Sequence, residues 1–100
     1  MDKFLIVFRG ATIGEAEGPH HQPDSWNAWF DGLGPALLDP GALSQGSVEV
    51  PSRLIGPKLS SSALSGYAII AATDFNDAVR LAESCPIFDE KGSVEIAHLR

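Results

Sequence analysis

Residues 65–73, SGYAIIAAT, and the directly following residues 74–84, DFNDAVRLAES, predict a strand and then a helix in this 100-residue chain. In the first segment Tyr67, Ile69 and Ala71 lie on one face of an extended backbone, and the residues between them lie on the other. Because both faces are apolar, the segment predicts a strand that is covered on both sides.

The second segment predicts a helix. Thr73 or Asp74 caps its first turn, and Pro86 stops it. Its apolar residues recur at helical spacing and therefore predict one buried stripe. The residues of this stripe are Phe75, Ala78, Val79, Ala82 and Cys85.

Two further strands are predicted near the ends of the sequence. Residues 3–9, KFLIVFR, are apolar on both faces, which again indicates a covered strand. Residues 93–99, SVEIAHL, also place apolar side chains on both faces of a predicted strand. The first strand has Phe4, Ile6 and Phe8 on one face and Leu5 and Val7 on the other, and the last has Val94 and Ile96 against Ala97 and Leu99.

Residues 24–38, DSWNAWFDGLGPALL, predict the first helix, with Asp24 or Ser25 as its cap. Pro35 lacks a backbone donor and should kink or break the last turn. Residues 10–23 predict a long loop, because Gly, Pro and acidic residues predominate there, and long loops are often functional.

Residues 42–62 have the weakest pattern. Residues 48–50 predict a short strand, which Pro51 places at a sheet edge or a bulge. Residues 53–55 fit the returning arm of a hairpin, and Gly41 fits a chain reversal after the first helix.

The predicted order is βαββαβ, which is typical of a ferredoxin-like fold in a single α+β domain over residues 1–100. Right-handed crossovers place both helices on one face of an antiparallel sheet. The strongest strands are nevertheless apolar on both faces. We therefore expect a homodimer whose open sheet faces stack about a twofold axis, unless residues 42–62 fold over that face.

Composition and motifs exclude several functions. The net charge is −6 and the seven basic residues are scattered singly, so we expect no nucleic acid and no membrane partner. The apolar run over residues 4–8 is too short for a signal peptide or a membrane span, so a cytoplasmic location is expected. We find no phosphate loop, GxSxG motif, dinucleotide fingerprint or metal-ligand spacing, and therefore expect no cofactor and no metal.

Four segments together resemble the YCII-related family, the small dimeric α+β barrel proteins that include the DGPF-type domains. They are FLIVFRG (4–10), WNAWFDGLGPALLDPGAL (26–43), SGYAIIAATDFNDAVRLAESCP (65–86) and GSVEIAHL (92–99). The resemblance implies a dimeric α+β barrel. Some members resemble enzymes that act on small aromatic or chlorinated compounds through a histidine and an aspartate. Here residues 60–64, SSSAL, replace the Asp-Gly-Pro-Phe motif.

The resemblance places the family's histidine near Asp24, and His20 and His21 precede that position. An imidazole titrates near neutral pH and can transfer protons, so these three residues are the candidate catalytic group. The alternative is that both histidines are solvated loop residues.

Candidate ligand-binding residues lie around the predicted first helix. We expect a pocket between that helix, the sheet and the 10–23 loop, with Arg9 available for an anionic group. Its other lining residues are Trp26, Trp29, Phe30 and Tyr67. The alternative is that the aromatic residues are core and that Arg9 pairs with a surface acid.

Three functions follow from these residues. One is a small-molecule binding protein, and another is a cofactor-independent lyase or isomerase with a His/Asp acid–base pair. The last is a non-catalytic dimeric accessory or interaction module. Cys85, the only cysteine, is expected to be a buried apolar residue and not a reactive thiol.

Overall fold

A computed structural model describes residues 1–10, 23–44, 47–59 and 64–100. Within these ranges the helices are α1 (Pro23–Leu33) and α2 (Phe75–Ala82), and short 3-10 helices cover Gly34–Ala36 and Pro86–Phe88. The strands are β1 (Asp2–Arg9), β2 (Leu37–Leu43), β3 (Val48–Glu49), β4 (Lys58–Leu59), β5 (Leu64–Ala72) and β6 (Ser93–Leu99).

Four of the strands form one antiparallel sheet in the order β2-β5-β1-β6. The two strands that are apolar on both faces, β1 and β5, occupy its centre, as their sequences predict. The hairpin β3–β4 forms a separate two-stranded sheet. Without this insertion the chain runs βαββαβ, so the α+β class and the ferredoxin-like arrangement are confirmed.

Both helices pack on one face of the sheet and build the core there. Phe4, Ile6 and Phe8 of β1 are fully buried beneath them, together with Ala68, Ile70 and Ala72 of β5. The helices contribute Trp26, Trp29, Leu33, Ala78 and Ala82 to the same cluster. Burying each large side chain contributes roughly 1.5–3 kcal/mol, so this layer provides most of the stability of the fold.

The start of α2 agrees with its sequence. The Asp74 carboxylate accepts a hydrogen bond from the Asp77 amide at 2.8 Å, and Asp77 in turn accepts one from the Thr73 amide at 3.0 Å. Asp74 is therefore the N-cap, and one amide of the first turn and the amide of the residue before the cap are both satisfied by side chains.

The predicted buried stripe of α2 is only partly correct. Ala78, Ala82 and Cys85 are buried, whereas Phe75 and Val79 are 50% and 44% exposed. These two residues lie over the outer strand β6, where the sheet ends and cannot cover them.

The prediction for residues 34–43 is wrong. The first helix does not continue to residue 38, because Gly34 has φ +55° and Pro35 ends the helical hydrogen bonding. The chain then forms β2, which pairs with β5 through Leu37↔Ile70 and Leu43↔Gly66. The second strand of the sheet is therefore β2 and not residues 48–50.

Gly41 lies within β2 and does not reverse the chain. Its φ is +60°, and a Cβ at this position would lie 2.1 Å from the Tyr67 carbonyl oxygen. Register shifts flank Asp39, so β2 crosses Pro40 and Gly41 as an irregular edge strand.

The hairpin also differs from its prediction. Residues 48–49 do form a strand, but the returning arm is β4 at residues 58–59, and residues 53–55 form the turn between them. Two-residue strands lack the alternating pattern that identifies longer ones, so the predicted returning arm lies too early in the chain.

Replacing Gly41 with Ala should destabilise the protein by more than about 2 kcal/mol, because the new methyl group meets the β5 backbone in a left-handed conformation. Thermal or urea unfolding measures the change. Gly32→Ala in α1 is the matched control: a Cβ added there would have nothing within 4 Å, and the variant should be more stable by about 0.5–1 kcal/mol. Equal stability of the two variants would contradict the close approach of β2 to β5.

Candidate functional site

The sheet face opposite the helices, called the open face below, is apolar across its centre. Its residues follow from the strand registers, in which Leu5 pairs with both Ile69 and Ala97, and Val7 pairs with Tyr67. The apolar members of this face include Leu5, Val7, Ala42, Tyr67, Ile69, Ala71, Ala97 and Leu99. All of them are half-buried or exposed, whereas the apolar residues of β1 and β5 on the helical face are buried.

A cleft of about 330 Å³ lies on the open face, where β2, β5 and the base of the hairpin meet. Apolar atoms form most of its wall. The lining residues include Val7, Ala42, Ser44, Ser47, Leu64 and Tyr67. The cleft is therefore an apolar depression whose lining residues include three that carry a hydroxyl group, Ser44, Ser47 and Tyr67.

Two of these hydroxyls hold the start of β5 in place. The Ser44 hydroxyl donates a hydrogen bond to the Leu64 carbonyl oxygen at 2.7 Å, and the Ser47 hydroxyl oxygen accepts one from the Leu64 amide at 3.0 Å. Ser47 keeps a hydroxyl hydrogen to donate and Ser44 keeps acceptor capacity, so both can still bind a polar group in the cleft.

Tyr67 provides the third hydroxyl. It is 41% exposed, and within the described part of the chain its hydroxyl forms no hydrogen bond. Phenolic oxygens both donate and accept, so Tyr67 is able to orient a bound molecule against the apolar wall.

The predicted aromatic residues of α1 lie on the other side of the sheet. Trp26 is 1% exposed and its indole N–H donates to the Glu90 carboxylate at 2.8 Å, while the Trp29 N–H donates to the Leu81 carbonyl at 3.3 Å. Phe8 meets the Trp26 ring edge to face at a centroid distance of 4.9 Å. Both tryptophans therefore pack in the core with their N–H groups hydrogen-bonded.

Phe30 is half-buried against the same two tryptophans. The sheet separates these three residues from Tyr67, so the four aromatic candidates do not line a common pocket. Whether the α1 aromatic residues also contact a ligand stays a prediction.

The remaining candidate residues are Arg9, Asp24, His20 and His21, and the structure describes only the first two. Arg9 pairs with Glu95 at 3.4 Å at the end of β1, which is the surface pairing that was the alternative to anion binding. Asp24 is exposed in the first turn of α1. His20 and His21, with most of the 10–23 loop, lie outside the described residues, and an acid–base role for them stays a prediction.

His98 lies on the outer strand β6. Its Nε2 atom is 3.2 Å from an Asp2 carboxylate oxygen, and its ring stacks on Phe4 at a centroid distance of 4.8 Å.

In the described part of the chain no three His, Cys, Asp or Glu side chains are grouped so as to bind a metal ion. No described helix is long and apolar enough to span a membrane.

Sequence reasoning missed most of the cleft. Ala42 falls in the segment with the weakest pattern, and Ser44 and Ser47 look like ordinary loop residues. The available signal was indirect: Pro35 ends the helix early enough for a strand to begin at Leu37, and this strand reaches Tyr67 at Ala42.

Comparisons with protein-family models, with curated proteins and with solved structures find no match for the chain. The geometry of the described residues therefore carries the functional argument.

Burial decides the chemistry of Cys85, since desolvation raises the pKa of its thiol to about 12. At pH 8 the native thiol should react with iodoacetamide more than about 100-fold more slowly than the unfolded chain, because only the thiolate is nucleophilic. Mass spectrometry of timed samples measures the rate, with guanidinium-unfolded protein as the control. Labelling at the same rate in both states would contradict the buried position.

Proposed function

We propose that this chain is a YCII-like homodimer that binds a small, mainly apolar molecule in the cleft of the open face. The cleft is the observation that carries the proposal. Its volume of about 330 Å³ falls at the lower end of the range for small-molecule sites, roughly 300–1,000 Å³. Such sites combine an apolar wall with a few polar groups, which here are the hydroxyls of Ser44, Ser47 and Tyr67.

The apolar open face supports the dimer. Leu5 lies at its centre between Ile69 and Ala97, and no described helix packs on this side. Burying a Leu, Val or Ile side chain contributes roughly 1.5–3 kcal/mol, so stacking two such faces about a twofold axis is favourable. The resemblance of the sequence to the dimeric YCII-related proteins points the same way.

Dimer formation and ligand binding are linked by position. The cleft opens on the face that would be stacked, so a second sheet would cover it and exclude water. A shallow depression of one subunit then becomes an enclosed site, in which each hydrogen bond to a hydroxyl is stronger than in water.

The chemistry of the cleft favours a neutral ligand. Its described lining contains no charged side chain, and the chain has a net charge of −6, which disfavours anions. A small aromatic or aliphatic molecule with one or two hydrogen-bonding groups fits best.

Among the three acid–base candidates only Asp24 is described, and α1 holds it on the opposite side of the sheet, so we favour binding over a His/Asp reaction in this cleft.

Leu5→Asp should convert the dimer into a folded monomer, because two carboxylates would be buried near the twofold axis without partners. We expect the dimer dissociation constant to rise by at least about 100-fold. Sedimentation equilibrium measures the mass, and circular dichroism checks the fold. Val79→Asp on α2 is the matched control, since it places the same charge at a half-exposed apolar position away from the open face. A wild-type protein that is monomeric at micromolar concentration refutes the dimer.

Ala42→Leu should fill the cleft and weaken binding of the neutral dye Nile red by at least about tenfold, because the larger side chain occupies the apolar volume. Fluorescence titration measures binding to the wild-type dimer and to the variant. Asn27→Leu, at an exposed position of α1, is the control and should bind the dye like the wild type. Unchanged binding to Ala42→Leu would place the dye site elsewhere and count against the cleft.

A further inference from the structure

Residues 48–59, called the arm below, form a hairpin that is built separately from the main sheet. Its strands pair with each other through Val48↔Leu59 and Glu49↔Lys58. The Lys58 ammonium lies 3.9 Å from the Glu49 carboxylate. An isolated two-stranded hairpin is marginally stable in water, so the arm needs contacts beyond its own ladder.

The tip of the arm has a defined shape. The Ser52 hydroxyl accepts a hydrogen bond from the Ile55 amide, and the Ser52 carbonyl accepts one from the Gly56 amide, both at 3.0 Å. Gly56 has φ +73°, which closes the turn. The backbone of the tip is therefore a hydrogen-bonded turn that carries Leu54 and Ile55.

The presented side chains are large and apolar. Leu54 at the tip is 99% exposed and Ile55 is 69% exposed, and Val48 and Val50 are also exposed. Single exposed apolar residues are common on protein surfaces, but four within eight residues of a projecting hairpin mark an interaction site.

The size of the open face indicates which partner the arm contacts. Four strands about 4.8 Å apart and seven residues long give a face of roughly 450 Å². Two stacked faces would bury about 900 Å² in total, below the roughly 1,200–2,000 Å² of stable interfaces. A dimer formed by the sheets alone would be weak, and the apolar arms are available to enlarge it.

Charge also favours a second copy as the partner. The arm contains Arg53 and Lys58 against one acid, Glu49, whereas the rest of the chain has five basic and twelve acidic residues. A weakly basic arm is therefore complementary to the acidic body of another subunit. The arm also starts beside the proposed interface, because Ser47 precedes it and lines the open-face cleft.

We infer that the arm clasps the second subunit of the dimer, with Leu54 and Ile55 packed against the body of that subunit. This inference rests on the proposed homodimer and adds the element that gives it sufficient contact area. Each subunit contributes one arm, so the twofold symmetry buries two apolar tips.

The first test is the double variant Leu54→Ser with Ile55→Ser. Both residues are exposed in the single chain, so each subunit should fold normally, while the dimer dissociation constant should rise at least about tenfold. Sedimentation equilibrium on the full chain measures that constant, and circular dichroism checks the fold. Val79→Ser removes an exposed apolar side chain from α2 and is the matched control, with an unchanged constant expected.

The second test identifies the contact directly. A photoreactive benzophenone side chain is introduced at position 54, and the protein is mixed with an equal amount of nitrogen-15-labelled wild-type chain before irradiation. We expect cross-linked peptides that join position 54 of one copy to the labelled body of the other.

The outcomes separate the arm from the dimer. A dimeric wild type whose dissociation constant is unaffected by the double variant, with cross-links confined to single chains, overturns the clasp and leaves the dimer intact. A monomeric wild type overturns the proposed dimer and the clasp together. A weakened dimer with cross-links between copies supports both.

Discussion

The pairing of β1 with β5 is the interaction on which the rest of the molecule depends. It runs from Asp2↔Ala72 to Arg9↔Leu64 and places two strands, each apolar on both faces, side by side. A single ladder thus creates two apolar surfaces. On one of them Phe4 meets Ile70, and α1 and α2 cover this surface to form the core. On the other, Leu5 meets Ile69, and this surface is the basis of the proposed dimer and of the cleft.

Local signals in the sequence were sufficient for much of this fold. Alternating apolar residues identified β1, β5 and β6, and Asp74 with Pro86 bounded the region of α2. The second strand could not be found in this way, because Pro40 and Gly41 are typical turn residues. They lie in a strand only because β5 offers a partner and because register shifts beside Asp39 accommodate them. Because β5 is distant from β2 in the sequence, no local sequence pattern around Pro40 and Gly41 can indicate this pairing.

The candidate site was harder to predict than the fold, for a related reason. The alternation of side chains along a strand shows that Tyr67 and Ala68 lie on opposite faces of the sheet. It does not show on which of these faces the helices pack. Helical spacing likewise groups Trp26 with Trp29 without distinguishing a pocket from a core. In the structure both rings pack in the core, and their N–H groups donate hydrogen bonds to Glu90 and to the Leu81 carbonyl. To locate the cleft one must know where β2 pairs and on which face of the sheet Tyr67 lies. Only the three-dimensional structure gives both.

The irregular strand β2 has a further consequence for how copies of this protein can associate. Its register shifts and Pro40 interrupt the row of backbone groups along that side of the sheet, so it is a poor template for another strand. Association through strand edges can continue without limit and leads to fibres, whereas stacking of two faces is complete once both are covered. Pro40 makes β2 hard to recognise from the sequence. By interrupting this edge of the sheet, it also disfavours open-ended polymerisation of the protein through β2.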